Sequence, residues 1–307
     1  MSRIVVTGAS GVVGHALVTH LKAMGRDVVP LAGRADVNLE SFDETLRVFE
    51  KHKPSEVYHI AGAVFGLGGN SAFPGDAYRR NVLINTHVVE ASRLAGVGKI
   101  VAMGSAAMYA DQEIPFFREE DVMKNLPHKS EQAYGFAKRG LLVQLEAYRQ
   151  QFGLEFAFAI ATNMYGPHDR FDPRYGHVIP SLITKFASAG PDDVVEIWGD
   201  GSPTRDFLYA ADAAKGLSLM MEKGEGAYNL ATGQSVQIAD LVTVLSELFP
   251  KTKYRWDTSK PLGQLARSYA TERLAKLGFV PDFSLRQGLE ETVRWFNANQ
   301  DVIRRYV

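Results

Sequence analysis

Short apolar runs alternate with amphipathic stretches through the first half of the chain. Ile4-Val5-Val6 reads as a strand, and Val13, Leu17 and Leu21 repeat at helical spacing over 11–24. The alternation continues with a strand over 27–31, a helix over 41–51, a strand over 56–60 and a helix over 81–95. A strand over 99–103, a long helix over 131–151 and a strand over 154–161 complete it. The strands lack strict apolar/polar alternation, as expected when both faces of a sheet are covered. Strands separated by helices predict an α/β fold with a doubly wound parallel sheet.

The texture changes near residue 163. Gly, Pro, Asp and aromatic residues become dense over 165–175, and the later elements are short: 194–198, 210–221, 228–231, 238–248 and 271–277. A helix over 285–297 closes the chain. The expected organisation is a nucleotide-binding domain over 1–162 and a smaller mixed α/β substrate-binding lobe over 163–307. Some strands and helices of the second half return to the first. No internal repeat is visible.

Composition narrows the class of function. The 307 residues carry 34 Lys+Arg against 35 Asp+Glu, a net charge of −1. That balance argues against wholesale binding to nucleic acid or to an anionic membrane. The cysteine count is zero, which excludes disulfides, thiolate metal sites and a cysteine base. No apolar run approaches the roughly 18 residues of a membrane span, and the N-terminus lacks the layout of a signal peptide. A cytoplasmic protein is expected. His52, His59, His87 and His128 are scattered without metal-ligand spacing, so no metal is expected. The charged run over 118–121 reads as a solvated loop.

Chemistry enters at the first strand–helix junction. Gly8, Gly11 and Gly14 recur every third residue there, with Ser10, Val12 and Val13 between them. The first glycine permits a tight turn, the second lets the backbone approach a pyrophosphate, and the third lets helix and strand pack closely. The helix N-terminus then offers free N–H groups to phosphates. This is the pattern of a Rossmann-type dinucleotide site. An NAD site would carry an acidic residue at the end of the second strand. Arg34 stands there instead, where it can face a 2′-phosphate, so NADP(H) is the cofactor expected. Asp36, Asn38 and Leu39 then fall beside the adenine, and Ala61, Gly62 and Ala63 offer small residues along the cofactor's path.

Strand four ends in Gly104-Ser105, and Tyr134 and Lys138 share one face of a later helix. A tyrosine near pKa ~10 is a poor acid–base group at neutral pH. A neighbouring ammonium favours its phenolate and is expected to lower that value. Ser105, at the C-terminal end of a strand, can hydrogen-bond a substrate oxygen.

These residues together resemble the extended short-chain dehydrogenase/reductases, the NAD-dependent epimerase/dehydratase family, over nearly the whole chain. Two longer segments, Asn163-Met164-Tyr165-Gly166-Pro167-His168-Asp169 and His177-Val178-Ile179-Pro180, resemble its GDP-L-fucose synthase branch. So does the stretch from Trp198 through Arg205 to Leu208. The resemblance implies Ser105, Tyr134 and Lys138 as the reductase triad and His177 as an acid. It puts Asn163, Met164 and His177 near the nicotinamide. It puts Lys185, Trp198, Arg205 and Arg267 on a nucleotide sugar, with Ser105, Ala107 and Asn163 at its sugar end. It also implies a homodimer built on helices such as the one bearing Tyr134.

One departure changes the expected chemistry. The resembled branch carries a cysteine two residues after the serine, as the base for epimerisation at C3 and C5. Ala107 stands there, and a methyl group accepts no proton. Ala106 and Ala107 also replace the acidic pair that nucleotide-sugar dehydratases need. The expected activity is NADPH-dependent reduction at C4 of a nucleotide-linked, GDP-bearing 4-keto-6-deoxy sugar, with epimerisation weakened or absent. Two catalytic alternatives stay open: a 4-epimerase with tightly bound NAD, or a full epimerase/reductase. A cofactor-binding assembly protein with vestigial chemistry is a third.

Overall fold

The computed structural model describes residues 2–64, 66–112, 114–173, 176–260 and 266–303. Its strands are β1 (Arg3–Thr7), β2 (Asp27–Leu31), β3 (Glu56–His59), β4 (Lys99–Met103), β5 (Glu155–Ala161), β6 (Asn163–Tyr165), β7 (Val194–Trp198), β8 (Thr204–Tyr209), β9 (Gly226–Leu230), β10 (Ser235–Gln237) and β11 (Lys253–Asp257). Its helices are α1 (Val12–Ala23), α2 (Phe42–His52), α3 (Gly66–Ala72), α4 (Pro74–Leu94), α5 (Gln132–Phe152), α6 (Val178–Ser188), α7 (Ala210–Lys223), α8 (Ile238–Leu248), α9 (Glu272–Lys276), α10 (Leu285–Ala298) and α11 (Gln300–Ile303).

The main sheet has six strands in the order β2-β1-β3-β4-β5-β9, all paired in parallel. Alternate residues of β1 feed opposite cores. Ile4 and Val6 pack with Leu17 and Leu21 of α1 and with Leu217 and Met220 of α7. Val5 packs with Phe49 of α2, Val88 of α4 and Leu141 and Leu145 of α5. Both faces are dry, which is why these strands read as unbroken apolar runs. A third core joins Ile183 and Phe186 of α6, Phe207 of β8, Leu241 and Leu245 of α8, and Leu289 and Phe296 of α10. It underlies a three-stranded sheet, β10-β8-β6, and a two-stranded sheet, β11-β7.

The helix expected from residue 81 begins seven residues earlier, at Pro74. Proline at the first helical position has its φ preset and sacrifices an N–H that would be unpaired anyway. The stretch before it, Gly-rich and without apolar periodicity, forms the short α3.

Asp206 of β8 ties the two parts of the chain together. It is 1% exposed. Its carboxylate accepts from the backbone N–H groups of Thr232 (3.0 Å) and Gly233 (2.8 Å), just after β9. It also accepts from the Thr162 hydroxyl at 3.5 Å, where β5 ends. Its backbone carbonyl accepts from the Asn163 amide at 3.0 Å. Replacing Asp206 by alanine leaves two buried N–H donors without acceptors. We expect Asp206→Ala to cost about 2–4 kcal/mol, read as a lower urea midpoint with an unchanged slope.

Candidate functional site

The C-terminal ends of the parallel strands open into a cleft of about 760 Å³. Open parallel sheets bind ligands at this edge. Gly8 follows β1 with φ +71°, and a Cβ there would lie 2.8 Å from the Ala61 backbone. A Cβ on Gly14 would lie 2.0 Å from the Gly8 carbonyl oxygen. These two glycines are therefore packing requirements. At Gly11 the nearest atom is 3.5 Å away, which leaves its backbone open to the cleft at the start of α1. Gly8, Ser10, Gly11, Val12, Val13 and Gly14 all line the cleft, and the Ser10 hydroxyl donates to the Ala32 carbonyl. Its size and this cradle fit a dinucleotide.

Arg34, Asn38, Leu39, Ala61 and Gly62 also line the cleft. Asp36 is turned away: its carboxylate accepts from the Ala32 N–H at 2.6 Å and shapes the loop after β2. Ala63 also lies behind the wall, its backbone bound on both sides by the Asn81 amide. Arg34 pairs with Glu40 at 2.6 Å, and Arg80 from α4 donates to the same carboxylate at 2.9 Å. Burial works to raise Glu40, and the two guanidinium hydrogen bonds outweigh it, holding the carboxyl below its usual range. Arg80 and Glu40 were not legible in the sequence, because only the packing of α4 against the loop after β2 brings them together.

The residues expected to carry the chemistry lie at the end of β4 and on α5. Gly104 is required, since a Cβ there would lie 2.4 Å from the Phe158 ring. Ser105 follows and caps a short turn, accepting from the Ala107 N–H at 3.2 Å. Ala107 is buried, and a Cβ on Gly135 would lie 2.5 Å from its carbonyl oxygen. Tyr134 stands in the first turn of α5 and lines the cleft beside Ser105. Lys138, one turn later, is 3% exposed and donates to the Met103 carbonyl at 2.9 Å. Its ammonium lies 5.9 Å from the centre of the Tyr134 ring. A Cβ on Gly62 would press to 3.3 Å from that nitrogen.

The expected lowering of Tyr134 is not what the structure holds. Burial, with the Glu131 carboxylate adding to it, pushes the phenol above its ordinary value, and a hydrogen bond with Ser105 only partly offsets this. Desolvation is the leading cause, and the Lys138 ammonium, 5.9 Å from the ring centre, does not reverse it. The same burial pulls Lys138 down to about 8. His59, at the end of β3, is hydrogen-bonded to Thr7 at 2.9 Å and to Asn85 at 3.0 Å. Burial and then the Lys138 charge pull it down to about 3, so it stays neutral and serves as a structural link.

On the second lobe, Asn163, Met164 and His177 line the cleft. His177 caps α6, with Nδ1 3.7 Å from the Asp169 carboxylate. That partner raises it against the effect of burial. His168, Asp169, Phe171 and Trp295 also line the cleft, and none of these four was singled out as a site residue. His168 and Asp169 offered a hint, inside the Asn163 segment. Lys185, Trp198, Arg205 and Arg267 lie outside the cleft lining. Trp198 is 64% exposed at the end of β7, with the Lys260 ammonium 6.0 Å from its ring. Arg205 and Arg267 are near neighbours. Burial pulls Arg205 down, Tyr269 opposes this, and the Arg267 charge adds to it. Arg267 is 7% exposed and donates through Nη1 to the Ala106 carbonyl at 2.8 Å. Its Nη2 is buried with no hydrogen-bond partner among the described residues, which marks a position for an acceptor. Among the described residues no group of three or more His, Cys, Asp or Glu is placed to hold a metal. No helix among them is long and apolar enough to cross a membrane.

Lys138 retains its proton below about pH 8 and loses it above. If its charge supports chemistry at Tyr134, kcat/KM falls as pH rises through about 8. A pH–rate profile flat to pH 10 would show that the ammonium is not required.

Comparison with known proteins places this geometry. The model of the NAD dependent epimerase/dehydratase family matches residues 4–231. GDP-L-fucose synthase 1 of Arabidopsis thaliana is 33% identical over 307 residues, covering 97% of this chain and 94% of that protein. The GDP-L-fucose synthase of Escherichia coli K12 is 30% identical, covering 98% of each. The crystal structure of a GDP-L-fucose synthetase from Naegleria fowleri bound to NADP superposes with a TM-score of 0.91 at 28% identity, covering 99% of this chain and 96% of that one.

Proposed function

The chain belongs to the NAD dependent epimerase/dehydratase family, and from that premise we propose that it is an NADPH-dependent reductase of a nucleotide-linked 4-keto-6-deoxy sugar. It reduces C4 of a sugar carried on GDP and leaves C3 and C5 unaltered. The observation that carries this reading is the pairing of an assembled Ser105–Tyr134–Lys138 set with a buried alanine at 107.

NADPH held in the cleft supplies the hydride. Arg34 and Arg80 flank the end of β2, where a 2′-phosphate would compete with Glu40 for their guanidinium groups. Ser105 orients the ketone oxygen. Tyr134 gives its proton to that oxygen as reduction proceeds. Its raised pKa suits this direction, because the phenol stays protonated at neutral pH until charge develops beside it. The Lys138 ammonium then stabilises the phenolate left behind. Arg205 and Arg267 present guanidinium groups to the substrate diphosphate, and Lys185 and Trp198 bound its nucleotide end. His177, whose pKa Asp169 raises against burial, orders the sugar. Ala107 offers no base for the α-protons, and the chain has no cysteine to substitute. The reaction takes place in the cytoplasm, where a chain without disulfides gives up no stability to reducing conditions.

The test is turnover of GDP-linked 4-keto-6-deoxy sugars in deuterated water. We expect NADPH consumption in preference to NADH, and a product with no deuterium at C3 or C5. Tyr134→Phe should lose about 10²–10⁴ in kcat, and Arg34→Ala should raise KM for NADPH while leaving NADH turnover unchanged. Deuterium at either carbon overturns the loss of epimerisation. Bound NAD that cycles without consuming NADPH favours the 4-epimerase instead.

The same reading includes a homodimer. Tyr78 on α4, Phe136 and Val143 on α5, and the nearby Met123 are exposed and together line a shallow apolar surface. Such a patch marks an interaction surface, and the occupant that fits is the same face of a second copy. Sedimentation should give twice the 33.8 kDa chain mass, and Phe136→Asp should give the monomer. A monomeric parent protein would exclude this interface.

A further inference from the structure

We propose that His15 and His168 form a ring clasp over the cofactor's diphosphate, and that the dinucleotide leaves only when this clasp parts. The inference rests on the reading of the cleft as a dinucleotide site. The two rings are stacked, with centroids 3.5 Å apart and planes 24° apart. That is van der Waals contact, and no phosphate passes between them.

The rings come from two separate elements, α1 and the loop after β6; His168 lines the cleft, and His15 stands next to Gly14, which does. His15 follows Gly14 in the first turns of α1. Helical side chains lean toward the helix N-terminus, so its ring leans back over the turn that receives the diphosphate. His168 comes from the loop after β6 and lines the cleft together with Gly11 and Gly14. It holds φ +64°, a left-handed conformation that a non-glycine residue keeps only when its surroundings enforce it. Gly166 precedes it at φ +154°, where a Cβ would crowd Ala210 at 3.0 Å. Trp295 of α10 backs the His168 ring at 4.6 Å, and Phe171 stacks on Trp295 at 5.8 Å. The loop is thus braced from behind by α10 and aimed at α1. Burial, then the charge of His15, pulls His168 down to about 4, and burial lowers His15. Two imidazolium rings at this separation would repel.

The experiment measures release of NADPH from the full-length protein by stopped-flow fluorescence, chased with excess NADP⁺. His15 is exposed on a helix, so His15→Ala keeps the fold. It should speed release about three- to tenfold, the loss expected for one aromatic pair. His168→Asn, which tolerates the left-handed conformation, should do the same. The double variant should release no faster than either single variant, because the two rings act as one unit. His15→Phe keeps a stacking face and should restore the parent rate. Equal rates in all variants, or additive effects in the double variant, would overturn the clasp while leaving the cofactor reading intact. A parent protein that binds no NADPH would defeat the cofactor reading itself, and the clasp with it.

Discussion

A buried ammonium is costly unless its surroundings hold it, and the site is arranged around one. Lys138 donates to the last carbonyl of β4, sits beneath Gly62 after β3, and issues from the same helix face as Tyr134. Three elements are thus brought to one point by a single cation. The requirement propagates outward. Gly62 must stay small so that the ammonium fits. His59 must stay neutral beside it, and Thr7 and Asn85 satisfy its ring nitrogens. Asn85 in turn donates to the Ala137 carbonyl at 3.3 Å, next to Lys138 in α5.

Desolvation sets the chemical character of the site. It pushes the Tyr134 phenol up and the Lys138 ammonium down, which widens the gap between the two. In the proposed reduction the phenol keeps its proton until an oxyanion develops beside it, and the ammonium faces the phenolate that is left. A solvated tyrosine and lysine with the same sequence spacing would titrate near their ordinary values, close to each other; burial is what drives these two apart.

The second lobe is tied to the first by polar groups as much as by its core. Asp206 fastens β8 to the ends of β5 and β9, and the residue before it is Arg205. The position of the Arg205 guanidinium beside Arg267 therefore depends on where the main sheet ends. Arg267 reaches back to the Ala106 carbonyl, which couples the same lobe to the turn carrying Ser105 and Ala107. The residues proposed for binding and those proposed for chemistry thus share one framework.

Much of this was legible in the residue order. Unbroken apolar runs between helical periodicities specify a parallel sheet covered on both faces. Glycines every third residue at a strand–helix junction specify a phosphate-sized turn, and a tyrosine and lysine four apart specify a shared helix face. These are local properties, set by neighbours along the chain. The start of α4 at Pro74 was missed because α3 and the turn before it carry no periodicity. The direction in which Tyr134 titrates, the meeting of Arg80 with Glu40 and the stacking of His15 on His168 belong to the tertiary structure alone. Burial and contact between residues 40 to 150 positions apart exist only once the whole chain has packed, and no local pattern encodes them.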